Sequence, residues 1–209
     1  MAAQSVGLPK GISLSVKGGQ TASSMTNVGV IHGRFQVLHN DHMQYLLAGK
    51  ERCEHLFVGI TNPDPWLTRE DPADLQRSDP VANPLTYYER YALLRASFEE
   101  AGVPHADFSI VPFPINLTEL YKYYVPVDAV FYLTIYDQWG RRKLELFKSV
   151  GLKTEVMWDK SPEKKGLTGA EIRRRMIAGE PWEHLVPPAV AVLLRKWDVV
   201  GRLRRLRTG

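Results

Sequence analysis

The sequence predicts an α/β fold: a doubly wound parallel sheet of about five strands with a C-terminal helical segment. Three observations predict it. Short runs that are apolar throughout, rich in β-branched and aromatic residues, alternate with segments of helical periodicity. Such runs suit strands buried on both faces by crossover helices. Right-handed crossovers bring the C-terminal ends of all strands to one edge. Finally, His32, Asn62, Phe113, Thr134 and Asp159 each fall just past a strand end, so that edge is the expected active site.

Taken in order, residues 1–27 hold Gly, Ser, Thr and Gln without an aromatic side chain and read as a flexible extension. One domain is expected over 28–209. Val28–Ile31 is the first strand, and Asn40–Lys50 a helix with Met43, Leu46, Leu47 and Lys50 on one stripe. Leu56–Ile60 is the second strand. Residues 61–82, rich in Pro and Asp, form a long loop of the kind that often serves as a lid or binding loop. Asn83 reads as an N-cap with Pro84 in the first helical position, and the helix runs to about Ala101 before Gly102. Its expected buried stripe is Tyr87, Tyr91, Leu94 and Phe98. Strands follow at Phe108–Pro112, Ala129–Thr134 and Lys153–Trp158, with helices at Asn116–Tyr124, Asp137–Val150, Thr168–Ala178 and Pro188–Trp197. Residues 188–209 form a helical tail. The pattern is Rossmann-like.

Composition narrows the partners. Arg202, Arg204, Arg205 and Arg207 account for the net charge of +4. The body is therefore balanced, and the basic tip reads as a solvated helix end, with no nucleic-acid partner expected. Cys53 is the only cysteine, which excludes an internal disulfide and a Cys-rich zinc site. No apolar run approaches the roughly 18 residues that span a bilayer, and no signal-peptide core is present, so a cytoplasmic protein is expected. Tyr121, Tyr123 and Tyr124 are expected to be partly exposed, which suits a homo-oligomer interface or a ligand cleft.

The chemistry centres on Gly29–His42, where a strand ends in a loop that feeds a helix N-terminus. Free backbone N–H groups and the helix dipole favour phosphate there. The stretch is neither G-x-G-x-x-G nor Walker A. His39 and His42 lie three apart and share a helix face, so both can point at a phosphate and stabilise charge on a pentacoordinate phosphorus. By residue type alone they could equally be surface histidines, or metal ligands with His32 and Asp41.

The residues GRFQVLHNDH resemble the G-R-F-Q-P-x-H-x-G-H signature of the nicotinamide-mononucleotide adenylyltransferases, within the nucleotidylyltransferase superfamily. NPLTYYER, Asn83 to Arg90, resembles their N-P-F-T-x-x-E-R helix start. GLTGAEIRRRMIAGEPWEHLVP resembles the I-S-x-T-E-I-R-R-R-M segment of the archaeal-type enzymes and the residues after it. The resemblance implies direct nucleotidyl transfer, in which an acceptor phosphate oxygen attacks the α-phosphorus of a nucleoside triphosphate and pyrophosphate leaves. Mg²⁺ would accompany the triphosphate as cofactor. By motif, His39, His42 and Arg173 are catalytic, and Gly33, Arg34, Phe35, Gln36, Thr168 and Gly169 bind nucleotide. Spacing alone does not choose among Arg173, Arg174 and Arg175.

The departures bear on substrate choice. Asp41 stands where the family has glycine, Val37 where it has proline, and Ala170 replaces a hydroxyl residue. After the fourth strand, the family's S/T-G-N-x-L-V is replaced by an aromatic and basic segment from Thr134 to Lys143. Candidate acceptor contacts are Asn62, Trp66, Arg69, Arg77, Tyr136, Trp139, Arg141 and Arg142. Gly166-Leu167-Thr168 also resembles the G-I-S core of the cytidylyltransferases' R-T-E-G-I-S-T-T, whereas Glu163, Lys164 and Lys165 do not match its start. The default expectation is ATP with nicotinamide mononucleotide. The alternative is CTP with a small phosphate or phosphonate acceptor, as in phosphonoformate cytidylyltransferases. A non-catalytic nucleotide sensor of the same fold is a second alternative.

Overall fold

The computed structural model describes residues 25–64, 79–161 and 166–208. Trp66, Arg69 and Arg77, and the extension as far as residue 24, lie outside the described residues. Five parallel strands form one sheet: β1 (Thr26–Gly33), β2 (Cys53–Thr61), β3 (Phe108–Phe113), β4 (Val130–Ile135) and β5 (Lys153–Asp159). Their order is β3-β2-β1-β4-β5, so the winding direction reverses between β1 and β4. This is the expected doubly wound architecture.

β1 begins earlier than its apolar run implies. Thr26 and Asn27 belong to it because Thr26 pairs with Cys53 and its hydroxyl donates to the Arg52 carbonyl at 3.2 Å. Cys53 is therefore the buried start of β2. Helices α1 (Asn40–Lys50) and α2 (Tyr87–Glu100) pack on one face with α4 (Gly169–Ala178), α5 (Pro188–Lys196) and α6 (Val199–Thr208). Helix α3 (Gln138–Ser149) covers the other face with the 3₁₀ turn Thr118–Tyr123. Ile31 points into the first layer, Val30 into the second. Each fully buried side chain of this size contributes about 1.5–3 kcal/mol of transfer free energy.

Several local expectations change. α2 starts at Tyr87, not after Asn83, because Thr86 caps it. The Thr86 hydroxyl accepts from Glu89 N–H at 3.2 Å, and the Glu89 carboxylate accepts from Thr86 N–H at 2.9 Å. This reciprocal box outcompetes the Asn-Pro signal. Asn83 instead closes the turn Pro80–Ala82, which shortens the expected loop. The expected stripe of α2 shifts as well: Leu93, Leu94, Ser97 and Phe98 are buried, while Tyr87 and Tyr91 are half-buried.

The C-terminal tail is two helices. Asp198 takes a positive φ between them and accepts from Gly201 N–H. Arg202 is not a solvated tip. Its guanidinium makes two 2.7 Å bonds to the Glu89 carboxylate and anchors α6 to α2. Tyr121 is buried, stacked on Phe113 at 4.5 Å, with its hydroxyl donating to the Ile115 carbonyl. Of the three tyrosines, only Tyr123 is largely exposed. Among the described residues, no helix is long and apolar enough to cross a membrane.

Candidate active site

A cleft of about 550 Å³ opens where the sheet order reverses. The ends of β1, β2 and β4 supply His32, Gly33, Thr61 and Thr134 to its walls. The turn after β1 and the start of α1 add Arg34, Phe35, Gln36, His39 and His42. The start of α4 adds Thr168, Gly169 and Arg173. All nine residues assigned to catalysis or nucleotide binding by motif thus meet in one place. Ligands of doubly wound sheets bind at this topological position.

The two histidines reach the cleft differently. His39 is the N-cap of α1, outside the helix, and its Nδ1 accepts from the His42 N–H at 3.3 Å. Because Nδ1 is the acceptor, the ring proton sits on Nε2. His42 lies in the first turn, and the two rings stack at 3.6 Å. Burial pulls the His39 pKa down to about 4 against an opposing pull from Asp41. His42 is held well below the ordinary imidazole range by burial, then by His39 and Arg34. Both are neutral at pH 7, although a hydrogen bond between the His42 ring and the Val37 backbone opposes the downward shift there.

The loop between β1 and α1 is held from behind. The Gln36 side-chain amide donates to the Leu85 carbonyl and accepts from its N–H, at 2.8 and 2.9 Å. That side chain is a brace, and Gln36 presents its backbone instead. Arg173, 8% exposed, donates to the Gln36 carbonyl. Burial, then Arg34, lowers its pKa to about 10, so it stays cationic. Arg174 and Arg175 turn outward and pair with Glu171 and Glu180, so of the three arginines only Arg173 lines the cleft.

Thr168 caps α4, its hydroxyl accepting from Glu171 N–H. Gly169 must be glycine because a Cβ there would lie 2.5 Å from the Gln36 carbonyl oxygen. The N-termini of α1 and α4 therefore share the same peptide as a wall. Asp41 joins them a second time: its carboxylate accepts from the Leu167 N–H at 2.7 Å, and a Cβ on Gly166 would displace that carboxylate. The Asp41 carboxylate is thus bound to the approach to α4.

On the acceptor side, Tyr136 and Trp139 line the cleft as expected. Arg141 and Arg142 do not. They are exposed on α3, and Arg141 reaches toward Asp159 at 3.4 Å. One helical step rotates Lys143 into the cleft instead, with its ammonium 4.6 Å from the Trp139 ring centroid. Asn62 is buried behind the cleft at a positive φ, and its carbonyl accepts from Arg90 at 2.7 Å.

Arg90 is a positioning residue to which the sequence alone assigns no role. Only 2% exposed, it donates to the carbonyls of Arg34, Thr61, Asn62 and Thr86, tying the ends of β1 and β2 to α2. The long buried cation in the Glu-Arg of NPLTYYER was its only signal. Among the described residues, no three His, Cys, Asp or Glu side chains come together to hold a metal ion. The alternative of His32 and Asp41 as joint ligands therefore has no geometric basis.

Three comparisons bear on identity. The family model described as cytidylyltransferase-like matches residues 30–175. A phosphonoformate cytidylyltransferase of Streptomyces viridochromogenes is 49% identical over 88% of this chain and 99% of its own. A nicotinamide-nucleotide adenylyltransferase of Thermococcus kodakarensis is 32% identical over 88% of this chain and 90% of its own. Among solved structures, a bifunctional NMN adenylyltransferase/ADP ribose pyrophosphatase from Francisella tularensis shares the fold, with a TM-score of 0.61 and 14% identity. It aligns with 87% of this chain, which spans about half (53%) of that protein's length. Relatives of this kind commonly use a divalent metal. The motif-based order of the two enzyme readings is reversed, since the cytidylyl alternative is now the better supported. The chain is a nucleotidyltransferase and belongs to the cytidylyltransferase-like family.

Proposed function

We propose that this protein transfers the cytidylyl group of CTP to an oxygen of a small phosphonate, of which phosphonoformate is the type, and releases pyrophosphate. The observation that carries the reading is 49% identity to a phosphonoformate cytidylyltransferase across 99% of that relative. The cleft agrees with a compact anionic acceptor, since Trp139 and Lys143 stand after the fourth strand.

An acceptor oxyanion attacks the α-phosphorus in line; the new P–O bond forms as the bond to the bridging oxygen breaks, and its electron pair leaves with pyrophosphate. His39 Nε2–H and the His42 ring donate to the triphosphate and to charge developing at the α-phosphorus. The N-terminus of α4, with Thr168 and Arg173, holds the β- and γ-phosphates. Mg²⁺ would enter with CTP and neutralise part of the triphosphate charge. Asp41 and Asp137 are the carboxylates lining the described cleft, and Asp41 is already bound to Leu167, so the phosphates themselves would hold the ion.

Incubating the protein with CTP, phosphonoformate and Mg²⁺ and following ³¹P resonances tests the reading. A cytidylyl–phosphonoformate ester and equimolar pyrophosphate are expected. Pyrophosphate without the ester, or neither, would refute it. Adenylyl transfer to nicotinamide mononucleotide is the second reading, favoured by several relatives at 30–33% identity.

A further inference from the structure

His32, at the end of β1, is 6% exposed, and neither of its ring nitrogens has a hydrogen-bond partner. Its ring sits against Phe113 and Phe147, at centroid distances of 5.5 and 5.3 Å. An aliphatic side chain would fill that space without desolvating two polar atoms, so packing alone does not account for an imidazole here. The same residue lines the cleft together with Thr61, Thr134 and Lys143.

Its position relative to the other histidines is informative. Phe113 and Phe147 belong to the layer beneath α3, whereas His42 contacts Phe35 in the opposite layer. Imidazoles thus approach the cleft from both faces of the sheet. His39 and His42 stand at the helix N-terminus that suits the triphosphate, and His32 stands beside the segment that carries Trp139 and Lys143.

We infer that His32 is an acceptor-binding residue, its ring N–H donating to an anionic oxygen of a compact phosphonate or carboxylate seated between β1 and α3. This rests on the nucleotidyl-transfer reading above and adds to it the residue that recognises the acceptor. Burial, and then the nearby Lys143 charge, hold the ring neutral, so it offers one donor and one lone pair. The Phe113, Phe147 and Tyr121 rings pack against one another behind it, so its nitrogens can find a partner only on the cleft side.

The test combines variants with a direct probe. His32→Leu should raise KM for phosphonoformate at least tenfold and leave KM for CTP within twofold, with His32→Gln restoring part of the loss. In ¹⁵N spectra of the wild-type imidazoles, phosphonoformate should shift the His32 nitrogens and leave those of the distant, exposed His105 in place. If the wild type turns over nicotinamide mononucleotide instead of phosphonoformate, the proposed substrate is wrong, and the same KM comparison with that acceptor decides the role of His32. An unchanged acceptor KM in a folded His32→Leu protein overturns the inference. So does a His32 signal unmoved by saturating phosphonoformate and nicotinamide mononucleotide; this readout needs no variant to fold.

Discussion

Capping α1 occupies the Nδ1 of His39 and leaves its Nε2 proton for a ligand, so in the proposed mechanism one side chain serves helix and phosphate with different atoms. The His42 side chain has no capping duty, so its truncation keeps the backbone N–H that His39 caps. His42→Ala should lower kcat by about a hundredfold or more, the usual cost of one transition-state donor; an unchanged kcat would remove it from the mechanism. The buried histidines also make the fold acid-sensitive. With pKa values depressed in the folded state, they stay neutral there while the unfolded chain takes up protons below about pH 6.5. Stability should therefore fall as pH drops from 6.5 towards 4, where His39 begins to titrate in the folded protein. Urea titrations across that range should show a shallower slope for His39→Asn, which keeps a capping acceptor and loses the titration. An equal slope would mean that His39 is not held neutral by the fold.

At the scale of elements, the junction of α1 and α4 decides whether the two helix ends proposed to bind phosphate face one ligand. It is made by Asp41 on Leu167, Gly169 against the Gln36 peptide, and Arg173 on the Gln36 carbonyl. Asp41→Ala should raise KM for the nucleoside triphosphate about tenfold and cost about 1.5–3 kcal/mol of stability, the range for a hydrogen bond to a charged group. Asp41→Asn, which can still accept from Leu167, should recover most of both. Preference between CTP and ATP should not move, and a switch in preference would show that Asp41 selects substrate. On the other side of the site, Arg90 joins β1, β2 and α2 through backbone carbonyls alone. Arg90→Met should destabilise by about 3 kcal/mol or more because buried acceptors lose their donor. A midpoint equal to wild type in denaturant would contradict that role.

For the whole molecule, the parallel strands and the edge that carries the site are legible in the sequence. Apolar runs reveal buried strands directly, and the edge follows from crossover geometry. The residues that the motifs single out, His39, His42, Thr168 and Arg173, line one cleft. The features that escape the sequence depend on rotation and on competition between local signals. Arg142 and Lys143 are neighbours in sequence, yet about 100° apart on α3, so only Lys143 reaches the cleft. Asn83-Pro84 and Thr86-Tyr87-Tyr88-Glu89 both announce a helix start, and only the reciprocal hydrogen bonds separate them. His32 reads as one more residue past a strand, because its missing partners exist only in three dimensions.

The proposed function stands on which nucleotide and which acceptor the cleft takes. The decisive experiment therefore crosses CTP and ATP with phosphonoformate and nicotinamide mononucleotide and measures pyrophosphate release. The expected result is release with CTP and phosphonoformate, at a kcat/KM at least a hundredfold above any other pair. Faster release with ATP and nicotinamide mononucleotide would contradict the cytidylyl assignment, and no release from any pair would contradict catalysis itself.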